Sequence, residues 1–393
     1  MSQGNNNRND VETTNTQRQR LVAGTLTCPP LELPTLLFDL LPEILCRLPV
    51  KLLVQLRCLC KFFNSLISDP KFAKKHLRMS TKRRYIMLTN YNPSTRRDDE
   101  FVMYDSPIPL PFSTSAVLTQ TQLHIPSTLT NGNHGVRLIC SCDGVFCGQL
   151  NNDSYFLWNP SITKFKLLPP LENHEWTSLS FGYDHFIDNY KVIVVSDENE
   201  VRVNTLGTDY WRKIEDIHCY TKYGPGIFVC GTVNWVSWDV IISLDLEKES
   251  CQELCPPDFG NENNWWNLGV LRDCLCVFAG SDEYWDVWIM KEYGNKEFWT
   301  KLYTIPTIVY AEFLQDQGLV VDQDLLVNAA LYISEDDQLL VKCYQLDNNH
   351  GATLAYIKFV VYDSKTGTLN IPEFQNNYEH RDAIFYIESL ISP

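Results

Sequence analysis

A unit made of a strand, a polar turn and a second strand recurs along most of this chain, and it restricts the possible folds more than any other feature. It reads VMYDSP at Val102–Pro107, LWNPSITKFKLL at Leu157–Leu168, VNTLGTDYWRKI at Val203–Ile214, SLDLEKESCQEL at Ser243–Leu254, WIMKEYGNKEFWTKL at Trp288–Leu302 and VYDSKTGTLNI at Val361–Ile371. With Asp105, Asn159, Asn204, Asp245, Met290 and Asp363 as markers, the first four steps are about 41 to 54 residues and the last about 73. One four-stranded propeller blade takes roughly 40–50 residues. The spacing therefore predicts a kelch-like β-propeller, although the last step is too long for one blade and too short for two. A β-sandwich pair is the alternative that spacing alone leaves open.

Local composition points the same way. Tyr85–Leu88, Lys191–Val195, Gly226–Val229 and Lys358–Tyr362 are β-branched or aromatic runs bounded by Gly, Asn, Asp or Pro, which reads as strands. Hairpin-like stretches precede several markers, at Cys142–Cys147, Phe228–Trp235 and Leu271–Cys276. Asp143-Gly144 supplies the left-handed turn such a hairpin needs. Ser106–Gly135, with four prolines, reads as a long excursion loop.

Ahead of the repeats lies a different pattern. Leu36, Leu40, Ile44 and Leu48, with Leu37, Leu41 and Leu45 one place on, form the apolar stripe of an amphipathic helix that Pro49 stops. A second helix starts at that proline and carries Val50, Leu53, Val54, Leu56 and Leu59. A third, Lys61–Ser68, carries Phe62, Phe63, Leu66 and Ile67 and ends at Asp69-Pro70. So small a unit supplies roughly 3–5 kcal/mol from its own core, while each buried Leu or Phe gains about 1.5–3 kcal/mol. The surplus apolar surface needs cover, either from the rest of the chain or from another protein. Lys71–Arg84 reads as the solvated face of a connecting helix with Phe72 and Leu77 inside, in preference to a nuclear-localisation patch.

The net charge of −15 is unevenly spread. Residues 39–84 hold eleven Lys or Arg against three Asp or Glu, whereas residues 85–393 hold nineteen against forty-two. So acidic a domain repels phosphate backbones, which argues against nucleic acid as a partner and favours basic protein surfaces. The fourteen cysteines are scattered, and the start of the chain has no apolar signal core, so they read as reduced, mostly buried residues. The pairs Cys58/Cys60, Cys140/Cys142 and Cys274/Cys276 would each share one face of a strand. No run is long enough for a membrane span. Residues 1–32 have the polar composition of a disordered tail.

The run D-L-x-x-E-I-L-x-R-L-P-V-K-x-L at Asp39–Leu53, followed by R-C-L-C-K-F-F-N-S-L-I-S-D-P-K-F at Arg57–Phe72, resembles the F-box of plant F-box proteins. Two positions depart from that pattern: Leu37 stands where the family usually has proline, and Phe63 where it usually has tryptophan. The later stretches N-P-S at Asn159–Ser161 with L-P at Leu168-Pro169, F-G-Y-D at Phe181–Asp184, L-G-T-D-x-W-R-K-I at Leu206–Ile214, L-G-V-L-R-D-C-L-C-V at Leu268–Val277 and Y-I-E-S-L at Tyr386–Leu390 resemble the F-box-associated interaction domain. The resemblance implies an F-box at 33–78 and an all-β propeller-like domain at 79–392. It implies a substrate receptor in a Skp-cullin-F-box ubiquitin ligase, bound through a Skp-type adaptor to a cullin scaffold, acting on a protein target in cytoplasm or nucleus. The adaptor contacts would be Leu36, Leu40, Pro42, Ile44, Leu45 and Leu48 in the first helix, and Pro49, Val50, Leu53, Leu56, Arg57, Lys61 and Phe63 after it. The alternative is a propeller scaffold with no ligase role.

No catalytic signature accompanies these motifs. There is no phosphate-binding G-x-x-x-x-G-K-[ST], no G-x-S-x-G and no H-E-x-x-H, and the eight histidines are widely spaced, so no enzyme, metal or cofactor is expected. Asp245, Glu247, Glu249, Glu253 and Asp258, like Asp282, Glu283 and Asp286, read as solvated acidic faces in preference to a docking face for a basic segment of a target. Trp265-Trp266, placed in a loop from Phe259 to Asn267, is the candidate target-binding anchor, since two adjacent indoles cannot both enter one core from a strand.

Overall fold

The computed structural model describes residues 40–79, 84–91, 101–108, 117–126, 129, 136–150, 154–171, 176–215, 224–259, 265–280, 284–306, 329–334, 336–347, 354–375 and 380–393. Residues 1–41 and 42–393 are separate compact units, and of the first only Leu40 and Leu41 are described. The expected tail at 1–32 and the contact residue Leu36 lie outside the described residues.

Helices α1 (Leu40–Leu45), α2 (Val50–Leu56) and α3 (Lys61–Ile67) stand where the leucine pattern places them, and a fourth, α4 (Pro70–Met79), follows. Pro49 holds an extended conformation immediately before α2, so its missing N–H interrupts nothing. The Asp69 carboxylate accepts the Lys71 N–H at 2.8 Å and caps α4, whose first residue is proline. Leu45, Cys46, Val50, Leu53, Ile67, Phe72 and Ala73 are buried. α4 is the connecting helix expected at Lys71–Arg84: Phe72, Ala73 and His76 face inward and Leu77 is half-buried. Lys82 and Arg83 lie outside the described residues.

Six four-stranded antiparallel blades follow. The first contains β1 (Arg84–Tyr91), β2 (Phe101–Pro107) and β3 (Thr121–Gln122). The second is β4 (Val136–Cys142), β5 (Val145–Leu150), β6 (Ser154–Asn159) and β7 (Lys164–Leu167). The third is β8 (Trp176–Asp184), β9 (Asn189–Ser196), β10 (Val201–Thr205) and β11 (Arg212–Ile214). The fourth is β12 (Ile227–Val229), β13 (Thr232–Ser237), β14 (Val240–Asp245) and β15 (Ser250–Leu254). The fifth is β16 (Trp265–Leu271), β17 (Cys274–Gly280), β18 (Tyr284–Met290) and β19 (Trp299–Pro306). The sixth is β20 (Ala329–Ile333), β21 (Gln338–Asp347), β22 (Leu354–Asp363) and β23 (Thr368–Asn370). The last strand, β24 (His380–Ile387), returns to pair along β1 and completes the first blade.

All six sequence markers fall on the third strand of a blade, one marker per blade. The reason is the turn that must follow. Asn159 accepts the Ser161 N–H at 2.9 Å, Asp245 those of Glu247 and Lys248 at 2.9 Å, and Asp363 that of Lys365 at 2.9 Å, so a short side-chain acceptor folds the chain into the fourth strand. The long last step is a single blade with residues 307–328, outside the described residues, ahead of its first strand. The sandwich alternative is thereby excluded.

Apolar faces of neighbouring blades supply the core. Met87, Met103, Phe146, Trp158 and Tyr386 pack between the first and second blades, and Val195, Val203, Trp235 and Leu244 between the third and fourth. The tail after β24 is fastened to the second blade by hydrogen bonds: the Asn159 amide donates to the carbonyl oxygens of Ser389 at 3.1 Å and Ile391 at 2.7 Å. Within the expected excursion loop, Ser106 belongs to β2 and Thr121–Gln122 form β3, so that segment is partly strand. Cys142 and Cys276 are buried as expected, whereas Cys58 and Cys60 lie exposed between two helices rather than on a strand. All described cysteine side chains are free thiols.

Candidate functional site

The helices mark one face of the propeller. Turns between first and second strands, and between third and fourth, share one face, and β1, a second strand, begins there directly after the helices. Lys74 on α4 reaches the β8–β9 turn, placing Nζ 2.6 Å from Asp188 Oδ2 and 2.7 Å from its carbonyl oxygen, and lies over the Tyr183 ring at 5.4 Å. The Tyr183 hydroxyl donates to the same carboxylate. The Lys74 ammonium and then the Tyr183 hydroxyl hold the Asp188 carboxyl below the usual carboxylate range, and burial together with that carboxylate raises Tyr183. Within the helices, Lys75 pairs with Glu43, and the buried His76 ring places Nε2 2.8 Å from the Leu48 carbonyl oxygen. Burial lowers the His76 pKa and the Leu48 contact only partly offsets it, so the ring is neutral and Nε2–H is the donor.

The helical module leaves apolar side chains uncovered. Leu40 is 49 % exposed, Ile44 47 % and Leu59 69 %, and Leu52 and Phe62 are also exposed. Of the other expected contact residues, Lys61 is exposed, while Pro42, Leu48, Pro49, Leu56, Arg57 and Phe63 are half-buried. Arg57 Nε donates to Asn64 Oδ1 at 3.3 Å, and Phe63 meets Phe62 edge to face with centroids 5.7 Å apart. Leu45, Val50 and Leu53, also expected as contacts, are buried within this chain. A helical period shows which residues are apolar and not which of them the chain itself covers. Leu52, Leu59 and Phe62 are the exposed members that the expected contact set lacks, and the surplus of apolar residues over core volume is the signal that finds them.

The opposite face carries the turns between second and third strands and the connections from blade to blade. Trp265 and Trp266 begin β16 there, and they are strand residues rather than the loop residues expected. Their Cα partners in β17 are Gly280 and Ala279. Trp266 is half-buried against Phe259, with ring centroids 6.2 Å apart, in the cluster between the fourth and fifth blades, so it serves the core. The side chain of Trp265 is outside the described set. On the same face Trp238, in the two-residue turn between β13 and β14, is 87 % exposed, the largest exposure of any described apolar side chain. Sequence reasoning passed over it; the signal available was a bulky aromatic at a turn position normally held by glycine or asparagine.

The acidic clusters are largely committed elsewhere. Glu249 pairs with Lys191 at 2.9 Å and Arg212 at 2.6 Å, and Asp286 with Lys301 at 2.5 Å, while Asp245 holds its turn. Asp282 and Glu283 lie outside the described residues. Among the described residues no three His, Cys, Asp or Glu side chains gather as metal ligands, and no described helix is long and apolar enough to cross a membrane.

Comparison with known proteins fits this geometry. Residues 33–75 match the family model of the F-box domain, and residues 99–393 match that of the F-box associated beta propeller domain. The chain is 30 % identical to the Arabidopsis thaliana F-box/kelch-repeat protein At3g23880 over 391 residues, covering 90 % of this chain and 95 % of that one. It is 25 % identical to F-box protein CPR1 of the same plant, over 69 % of this chain and 73 % of the relative. It is 28 % identical to F-box protein At4g22390, also of Arabidopsis thaliana, over 70 % and 74 %.

Proposed function

The chain belongs to the plant F-box proteins that carry an F-box associated β-propeller domain, and from that premise we propose that it is the substrate-recognition subunit of a Skp-cullin-F-box ubiquitin ligase. The helices dock a Skp-type adaptor, the adaptor connects to a cullin, and the propeller holds a protein target. The chain makes and breaks no bond itself. It raises the effective concentration of target lysines at the ubiquitin-conjugating enzyme. Cytoplasm or nucleus, both reducing, suits its free thiols.

The observation that carries this reading is the uncovered set Leu40, Ile44, Leu52, Leu59 and Phe62 on a module whose own core is already closed. Such side chains gain about 1.5–3 kcal/mol each when fully removed from water, which a docking partner supplies. Co-expression with a Skp-type adaptor tests it: the native chain should co-purify as a one-to-one complex. The Leu40→Asp/Ile44→Asp chain should bind at least about a hundredfold more weakly, since each carboxylate would be buried unpaired. An unchanged complex removes these residues from the interface, and no complex with the native chain favours the scaffold reading.

A further inference from the structure

We propose that Trp238 is the anchor of the target-docking surface and that it receives a basic segment, with a Lys or Arg side chain of the target laid across the indole. The proposal rests on the receptor reading and names the class of target segment. Ser237 and Val240 pair directly, leaving Trp238 and Asp239 as a two-residue hairpin turn. Trp238 sits at φ +45°, in the left-handed region that a bulky side chain seldom occupies and that glycine occupies freely. The two-residue turn itself calls for a positive φ, which glycine or asparagine supplies without strain, yet the position carries an indole that is 87 % exposed and belongs to none of the described apolar clusters. Strain of this kind gathers at ligand-holding positions.

The mount beneath it is firm. Val236, two residues back on β13, packs with Ile241, Leu254, Phe259 and Trp266 between the fourth and fifth blades. The charge around it selects the occupant. Asp197, Glu198 and Asp239 are exposed on the same face of the third and fourth blades. The described basic residues there, Arg202 and Lys213, are both paired with Glu200, at 2.5 Å and 3.1 Å. A negative field around an open indole attracts a cation to the ring face, and tryptophan is the ring that holds one best. An acidic segment would be repelled.

The test uses the purified full chain, alone and in complex with adaptor, on an array of synthetic peptides rich in Lys and Arg, rich in Asp and Glu, or neutral. Basic peptides should be retained and acidic ones not. Trp238→Gly should weaken retention by roughly tenfold or more while leaving the melting temperature equal or higher and adaptor binding unchanged. Trp238→Phe should keep most of the binding and Asp239→Lys should lose it. Equal retention by Trp238→Gly, no retention of basic peptides by the native chain, or a lower melting temperature for Trp238→Gly overturns the proposal. Because the array also runs without adaptor, failure of the adaptor complex counts against the ligase reading alone.

Discussion

His76 shows how one buried side chain ties stability of the helices to pH. Its Nε2 donates to Leu48, its Nδ1 is buried without a partner, and burial depresses its pKa. Below the ordinary histidine value of about 6.5 the unfolded chain binds a proton that the folded chain resists, so this contribution is intact above about pH 6.5 and fades as pH falls below it. Chemical denaturation between pH 5 and 8 should show that slope, and His76→Gln, which keeps a donor for Leu48, should flatten it. Gly144 is constrained by backbone geometry instead. At φ +81° it closes the hairpin that Asp143-Gly144 announces, and a Cβ there would lie 2.3 Å from the Ile387 carbonyl oxygen. Gly144→Ala should cost about 2–4 kcal/mol by equilibrium unfolding. The turn was legible in the sequence, whereas the contact with Ile387, more than two hundred residues away, had no local signature.

At the scale of elements, turn chemistry was readable because it is local. Asn159, Asp245 and Asp363 each fold the next residues around their own side chain, so the third strand of a blade carries a visible mark. The join of β24 to β1 leaves no such mark, because its register is set by apolar faces at opposite ends of the chain. Asn159 spans both levels, since its amide also fastens the tail after β24. Asn159→Ala would leave the Ser389 and Ile391 carbonyls short of a donor, at about 1–3 kcal/mol, and should speed amide exchange in β24 ahead of the other inner strands. The helices were legible as elements and less so as a site. Periodicity groups Leu40 with Leu45, yet the first is half exposed and the second buried, a difference that the spacing of leucines along one helix does not carry.

Across the whole molecule, Lys74 links α4 to the β8–β9 turn of the third blade. Lys74 and Asp188 are partly open to solvent, so a double-mutant cycle on Lys74→Ala and Asp188→Ala should return a coupling of at most about 1 kcal/mol, with adaptor affinity unchanged. The helical segment is basic and the propeller acidic, which separates the surfaces each partner would meet. Hydrogen–deuterium exchange of the full chain with and without a Skp-type adaptor tests the account most directly. Added adaptor should slow exchange from Leu40 through Ile67 and leave the turn at Trp238 and the rest of the far face unchanged. Protection that falls on the blades, or none at the helices, would contradict it.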